Sequence, residues 1–208
     1  MIAVLRIQSP SGPQQVRLEF AQAGDDVGLR KWKAPANHSR PDLARDSIEL
    51  AKLAGKRWRY SLRRNEAATS MDDLWKKLAA QPNGEIGFIR IAKSVGEKTP
   101  STLGIAWCRR TWCNHLVLDF LTVHPALHDP AGGDQGMGSA MFIGMAVVAE
   151  NLQCPLVWGE ATETSSTFDR NLPGGTPVLD HFFSGHQALA ALCRPLPPPT
   201  KPAPQPKA

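Results

Sequence analysis

Tyrosine is almost missing from this chain: Tyr60 is the single one among 208 residues. Cysteine is sparse too. Cys108, Cys113, Cys154 and Cys193 are scattered, and no Cys-x-x-Cys pair occurs. A chain of this length does not depend on disulfide staples, so reduced thiols are expected. No apolar run approaches the roughly 20 residues that cross a bilayer, which argues against a membrane-spanning protein. There is no internal repeat. Met1 to Pro10 places Arg6 inside a short alternating stretch and lacks an apolar core of signal-peptide length. The expectation is a first strand and a cytoplasmic protein with no membrane partner.

Hydrophobic residues make up 42% and charged residues 21%, the balance of a globular chain rather than a disordered one. One domain over residues 1–194 is expected. The remainder, 195–208, has seven prolines in fourteen residues and reads as a disordered, extended tail. The formal charge of +5 suits an anionic partner such as a phosphate-bearing cofactor, an acidic protein or nucleic acid, without choosing among them.

Ile2–Ile7 and Gln15–Phe20 alternate with period two around a Ser-Pro-Ser-Gly-Pro turn, which predicts a hairpin. Gly24–Ser39 reads as loop. Pro41-Asp42 opens a helix carrying Leu43, Leu50 and Leu53, with Gly55 as its C-terminal cap. Lys56–Arg64 alternates apolar and basic residues and reads as a strand or exposed ribbon. Ser70 and Asp73 form a capping box ahead of a short helix with Met71, Leu74, Trp75 and Leu78 on one stripe. Gly84–Lys93 and Thr102–Trp112 read as consecutive antiparallel strands. His115–Val123 is the most apolar strand, so a central position is expected. A Gly-, Pro- and Asp-rich loop, His124–Gln135, leads to an apolar helix over Met137–Leu152. Pro155–Thr162 is a further buried strand, Ser165–Leu172 a short helix, Val178–Phe183 a last strand and Gln187–Cys193 a last helix.

The strand, loop and helix from Leu118 to Leu152 carry the strongest functional signal. Gly133, Gly136 and Gly138 let backbone approach a ligand, and the first amides of the following helix point into that space. With the helix dipole this suits a diphosphate. The plainer alternative is that the glycines only permit a sharp strand-to-helix turn.

The segment resembles the GNAT superfamily of N-acetyltransferases over roughly 84–172. Val123-His124-Pro125 matches the family's strand end, and Gly136-Met137-Gly138-Ser139-Ala140 matches its loop-to-helix step. The resemblance implies an α/β (α+β) fold, with a mixed, mostly antiparallel central sheet flanked by helices and splayed into a V where acetyl-CoA enters. It also implies that the backbone of Leu121, Thr122 and Val123 pairs with the pantetheine arm. Amides from Gly133 through Asp134, Gln135, Gly136, Met137 and Gly138 to Ser139 would hold the diphosphate. The family's leading Arg or Gln falls here on Gly133, and its frequent thiolate-protonating tyrosine falls on Asp169. The rival is a dinucleotide site, since Gly136-Met137-Gly138 is followed about 20 residues on by Glu160. Against it, Met141 occupies the third glycine position, and too little chain follows Glu160 for a second half-sheet.

Acetyl transfer needs a base for the amine. Asp119 lies within an apolar strand, where desolvation strengthens a carboxylate as a base; it is otherwise a structural acid bonded to an arginine such as Arg109. Glu160, ending the next strand, is the second candidate. Thr162 and Ser165 suit the cofactor's surroundings or plain N-caps, and a strand amide near Leu121 would polarise the carbonyl. Cys108, Cys113, His115, His124 and His128 lack a standard zinc spacing, so no metal is expected. The run Lys56–Arg64 with Trp58 and Tyr60 suits nucleic acid only as a weaker reading. The expected function is therefore an acetyl-CoA-dependent N-acetyltransferase with a small-molecule or protein amine as acceptor. The alternative is a non-catalytic acyl-CoA-binding protein of regulatory or partner-binding role. A homodimer is compatible with the sequence.

Overall fold

A computed structural model describes residues 1–9, 12–95, 101–127, 136–162 and 180–194. Its centre is a single sheet in the order β1-β2-β4-β5-β6-β7-β8. The strands are β1 (Ala3–Ser9), β2 (Gly12–Phe20), β4 (Ile86–Ser94), β5 (Thr102–Arg110), β6 (Leu116–Val123), β7 (Leu156–Glu160) and β8 (His181–Gly185). A two-residue strand, β3 (Ala67–Ala68), runs parallel to β4 off this path. Along the path only β6 and β7 are parallel; the other neighbours are antiparallel. This is the mixed, mostly antiparallel α+β architecture expected from the sequence.

The predicted hairpin forms as β1 and β2, with alternating residues Val16, Leu18 and Phe20 in the core. Helix α3 (Met71–Ala80) is capped as its sequence predicts: Ser70 Oγ accepts from the Asp73 amide at 3.0 Å, while Asp73 Oδ2 accepts from the Thr69 amide at 2.9 Å. α4 (Met137–Asn151) joins β6 to β7 and is apolar nearly all round, because it is covered on both sides. Met137, Met141 and Met145 sit in the sheet core, and Phe142 meets Phe182 of β8 edge-on at 5.9 Å. α5 (His186–Cys193) packs on α4.

The opposite face carries α1 (Asp25–Arg30) and α2 (Pro41–Arg63), whose core of Leu29, Ala51, Ala54 and Trp58 meets Ile89, Ile91, Ile105 and Trp107. Here three expectations fail. Gly24–Ser39 is not all loop, since α1 lies within it. Lys56–Arg64 is not a strand: α2 continues through it as far as Arg63. The helical stripe Ala44, Ala51, Ala54, Trp58 and Ser61 is buried, while the interleaved basic residues face outward, so period two was accidental. Gly55 is accordingly no cap. A side chain there would press on Asp26, its Cβ 3.3 Å from that of Asp26, so the glycine lets α1 lie close. The third concerns β6, which is interior but not central; β5 is the middle strand and is more completely buried. Among the described residues no helix is long and apolar enough to cross a membrane.

Candidate functional site

β6 changes its surroundings halfway along. Against β5 its register runs Arg109↔Val117 and Cys108↔Leu118, then resumes at Trp107↔Phe120, which leaves Asp119 as the extra residue of a β-bulge. A bulge of this kind re-aims side chains and tightens the local twist. Leu116 and Leu118 face the α4 core before it, and Leu121 and Val123 face that same core after it.

The other edge of β6 parts from β7 at the same level. Pairing covers Leu116↔Val157, Val117↔Trp158 and Leu118↔Gly159, and stops there. Past Leu118 no described strand continues the ladder along that edge of Asp119–Val123. Gly159 marks the last close approach: a Cβ on it would lie 2.8 Å from the Leu118 carbonyl oxygen and 2.7 Å from Phe182. Glu160 is the next residue, exposed and opposite His181, so register puts it across the opening from Asp119.

α4 begins on the C-terminal side of this opening. Its N-cap, Gly136, has φ +74° and no side-chain cap, with open space where a Cβ would point. Such a residue favours glycine. The first amides, those of Met137, Gly138 and Ser139, precede the intrahelical ladder, which starts with Ala140 donating to the Gly136 carbonyl at 2.9 Å. Gly133, Asp134 and Gln135 lie outside the described residues, as do Ser165 and Asp169.

His124 secures the end of β6. Its amide donates to the Leu103 carbonyl at 2.8 Å, its Nδ1 accepts from the Ala126 amide at 3.1 Å, and its ring stands edge-on to Trp32 at 5.2 Å. Burial pushes its pKa down from 6.5 to about 4, so the ring is neutral at pH 7. In the sequence, the place of His124 between Val123 and Pro125 is the available signal for this role.

Asp119 meets the arginine that its alternative reading named. Arg109 Nε donates to Asp119 Oδ1 at 2.8 Å, and Arg109 Nη1 donates to Glu85 at 2.9 Å. The Asp119 side chain is 19% exposed, and its Oδ2 is buried without a hydrogen-bond partner among the described residues. The paired oxygen is held in place, while the second, although buried, has its acceptor positions unfilled among the described residues. Cys108, which faces Leu118, is fully buried; burial pushes its thiol up, while the neighbouring Arg90 guanidinium pulls it down. Arg90 itself was not foreseen. It is fully buried under α4, and its Nη1 donates to the Met141 carbonyl.

No family model matches this sequence, and no curated protein matches it. Solved structures do match. Acetyltransferases of the GNAT family from Staphylococcus aureus Mu50 and Desulfovibrio desulfuricans are 11% and 12% identical, with TM-scores of 0.44. Each covers 82% of this chain and 99% of its own. Nourseothricin acetyltransferase matches at 15% identity and a TM-score of 0.32 over 40% of this chain. The match spans 45% of that enzyme's length. This chain is similar to GNAT-family acetyltransferases.

Proposed function

We propose that this chain is an acetyl-CoA-dependent N-acetyltransferase acting on a primary amine. The observation that carries the reading is the parting of β6 from β7 after Leu118 among the described residues, on the side where α4 begins at a glycine N-cap. An extended pantetheine arm fits an unpaired strand edge, as an added strand does. A diphosphate fits the first amides of a helix.

Leu121, Thr122 and Val123 would hold the arm through their backbone. Gly136, Met137, Gly138 and Ser139 would hold the diphosphate, and Gly133, Asp134 and Gln135, outside the described residues, are the further candidates that the resemblance names. When bound, acetyl-CoA supplies an activated thioester. Asp119 Oδ2 would take the proton from the acceptor amine, with Arg109 keeping the carboxylate oriented through Oδ1, as the amide C–N bond forms and the thioester C–S bond breaks; the CoA thiolate would leave and take its proton from water. A backbone amide near Leu121 would polarise the acetyl carbonyl. Glu160, across the opening, is the second base, working through water.

A second reading, a non-catalytic acyl-CoA-binding protein, is favoured by one observation: Arg109 already engages Asp119. One experiment separates the two. Saturating acetyl-CoA, at about 100-fold over its Kd, should raise the unfolding free energy by about 2.7 kcal/mol. With a broad panel of amines, free CoA should then be released, and Asp119→Asn should suppress the release. Stabilisation with no turnover would leave only the binding reading; no stabilisation by acetyl-CoA or CoA would remove both.

A further inference from the structure

On the α2 side of the sheet a groove of about 920 Å3 opens between the end of α2, the end of α3 and the adjoining ends of β4 and β5. Four cations line it, Arg57, Arg64, Lys77 and Arg109, against two carboxylates, Glu66 and Glu85. The continuation of α2 through Lys56–Arg64 creates this arrangement. Arg57, Tyr60 and Arg64 fall at helical spacing on one face toward the groove, whereas Arg59 turns away to Asp26.

The cations differ in what they already hold. Arg64 is paired with Glu66 and lies over the Tyr60 ring. Arg109 bridges Glu85 and Asp119. Lys77 donates to the Asn65 side chain at 2.7 Å and to its carbonyl at 2.9 Å. Arg57 has no carboxylate within ion-pair reach among the described residues; its guanidinium lies over the Trp107 ring at 4.2 Å. Stacking on an indole holds the guanidinium plane while leaving its edge N–H groups able to grip a planar or tetrahedral oxyanion with two hydrogen bonds.

The groove reaches the bulge. Trp107 is the register partner of Phe120, and Arg109 is bonded to Asp119, so the same two β5 residues that line the groove are the strand neighbour and the ion-pair partner of the two residues at the bulge. Building on the transferase reading, we infer that this groove is the acceptor site, and that the acceptor is a small amine carrying a carboxylate or phosphate group bound by Arg57 over Trp107. Glu66 and Glu85 would repel a continuous run of phosphates, which sets a single oxyanion apart from a nucleic acid strand.

The test uses matched amines differing only in the anion: 3-aminopropanoate against its amide, and phosphoethanolamine against ethanolamine. With acetyl-CoA, at least one anionic member should exceed its neutral partner in kcat/KM by about 10- to 100-fold, the range of a charge-assisted bidentate contact. Which pair shows the larger ratio distinguishes carboxylate from phosphate. Arg57→Gln should bring the ratio to about 3-fold or less, with the effect in the acceptor KM, and Arg57→Lys should restore only part of it. Calorimetric titration of the same two anions into the protein without acetyl-CoA gives a readout independent of turnover, and there too binding should be lost in Arg57→Gln. Equal rates within both pairs, an unchanged ratio in Arg57→Gln, or tighter competition by a ten-base oligonucleotide at 150 mM salt would each overturn the inference. Anion binding that depends on Arg57 in a protein that ignores acetyl-CoA would retain the oxyanion site while removing the transferase reading.

Discussion

His124 should make this protein's stability depend on pH over a window that a single substitution can erase. The ring is buried at the end of β6 and neutral, with a pKa near 4 against 6.5 for an unperturbed histidine. The unfolded chain takes up a proton below pH 6.5, and the folded chain does so only near pH 4. The histidine's contribution is therefore complete above pH 6.5 and is lost as pH falls. At 1.36 kcal/mol per unit, the loss amounts to about 2 kcal/mol by pH 5 and about 3 kcal/mol by pH 4. Urea unfolding at pH 7.5, 6, 5 and 4 measures it. Other acids and histidines titrate in the same range, so the informative quantity is the difference in slope from His124→Asn. Asparagine keeps an acceptor for the Ala126 amide but does not titrate. Its absolute stability should be lower, through lost packing on Trp32, while its curve between pH 7.5 and 4 should be flatter by about 3 kcal/mol. Parallel curves for the two proteins would show that His124 is not a buried neutral ring, and that its surroundings are wrongly described.

Asp119→Asn keeps the shape of the bulge and removes the proposed base; kcat should fall by about 100-fold or more, and a fall under about 3-fold in steady-state assays would refute that role for Asp119. Gly159→Ala drives a methyl against the Leu118 carbonyl and Phe182, so unfolding free energy should fall by about 1–3 kcal/mol in urea melts, and an unchanged midpoint would contradict the close approach of β6 and β7. Arg90→Met removes a fully buried cation whose Nε and Nη2 have no partner among the described residues. The protein should become more stable by about 1–3 kcal/mol, and a loss of more than about 1 kcal/mol would mean that the guanidinium is compensated.

Most of the sheet was legible in the sequence because its signals are local. Alternation marks β1 and β2, and an unbroken apolar run marks α4. The Ser70 cap needs only four residues to declare itself. What was not legible depends on partners distant along the chain. Gly55 looked like a stop because a cap and a helix crossing both call for glycine; only α1 lying against it decides between them. Lys56–Arg64 looked like a ribbon because Trp58, Tyr60 and Leu62 alternate with basic residues. In the folded chain Trp58 is buried, its indole donating to the Gln22 carbonyl at 3.1 Å, while Tyr60 is exposed, a difference no period-two pattern contains. Within the candidate site, the strand that carries Asp119 and the helix that follows Gly136 were readable from their apolar runs. The bulge was not, since it exists only in the register between two strands.

That bulge is what gives Asp119 two sides. Without the extra residue, strict alternation would put the side chains of 118 and 120 on one face and those of 119 and 121 on the other. With it, Leu118 and Leu121 both turn to the α4 core, while Phe120 joins the α2 core. Asp119 is left at the reversal, where strict pairing with β5 is interrupted and pairing with β7 has ended. A carboxylate could not be kept there by burial alone, because an uncompensated buried charge costs several kcal/mol. Arg109 supplies the compensation from β5, and Glu85 shares that guanidinium. The same pairing that stabilises the carboxylate therefore anchors it between the basic groove and the edge of β6 that no described strand covers. Under the proposed transferase reading, the ion pair with Arg109 would position the base; under the non-catalytic reading it would simply neutralise the carboxylate.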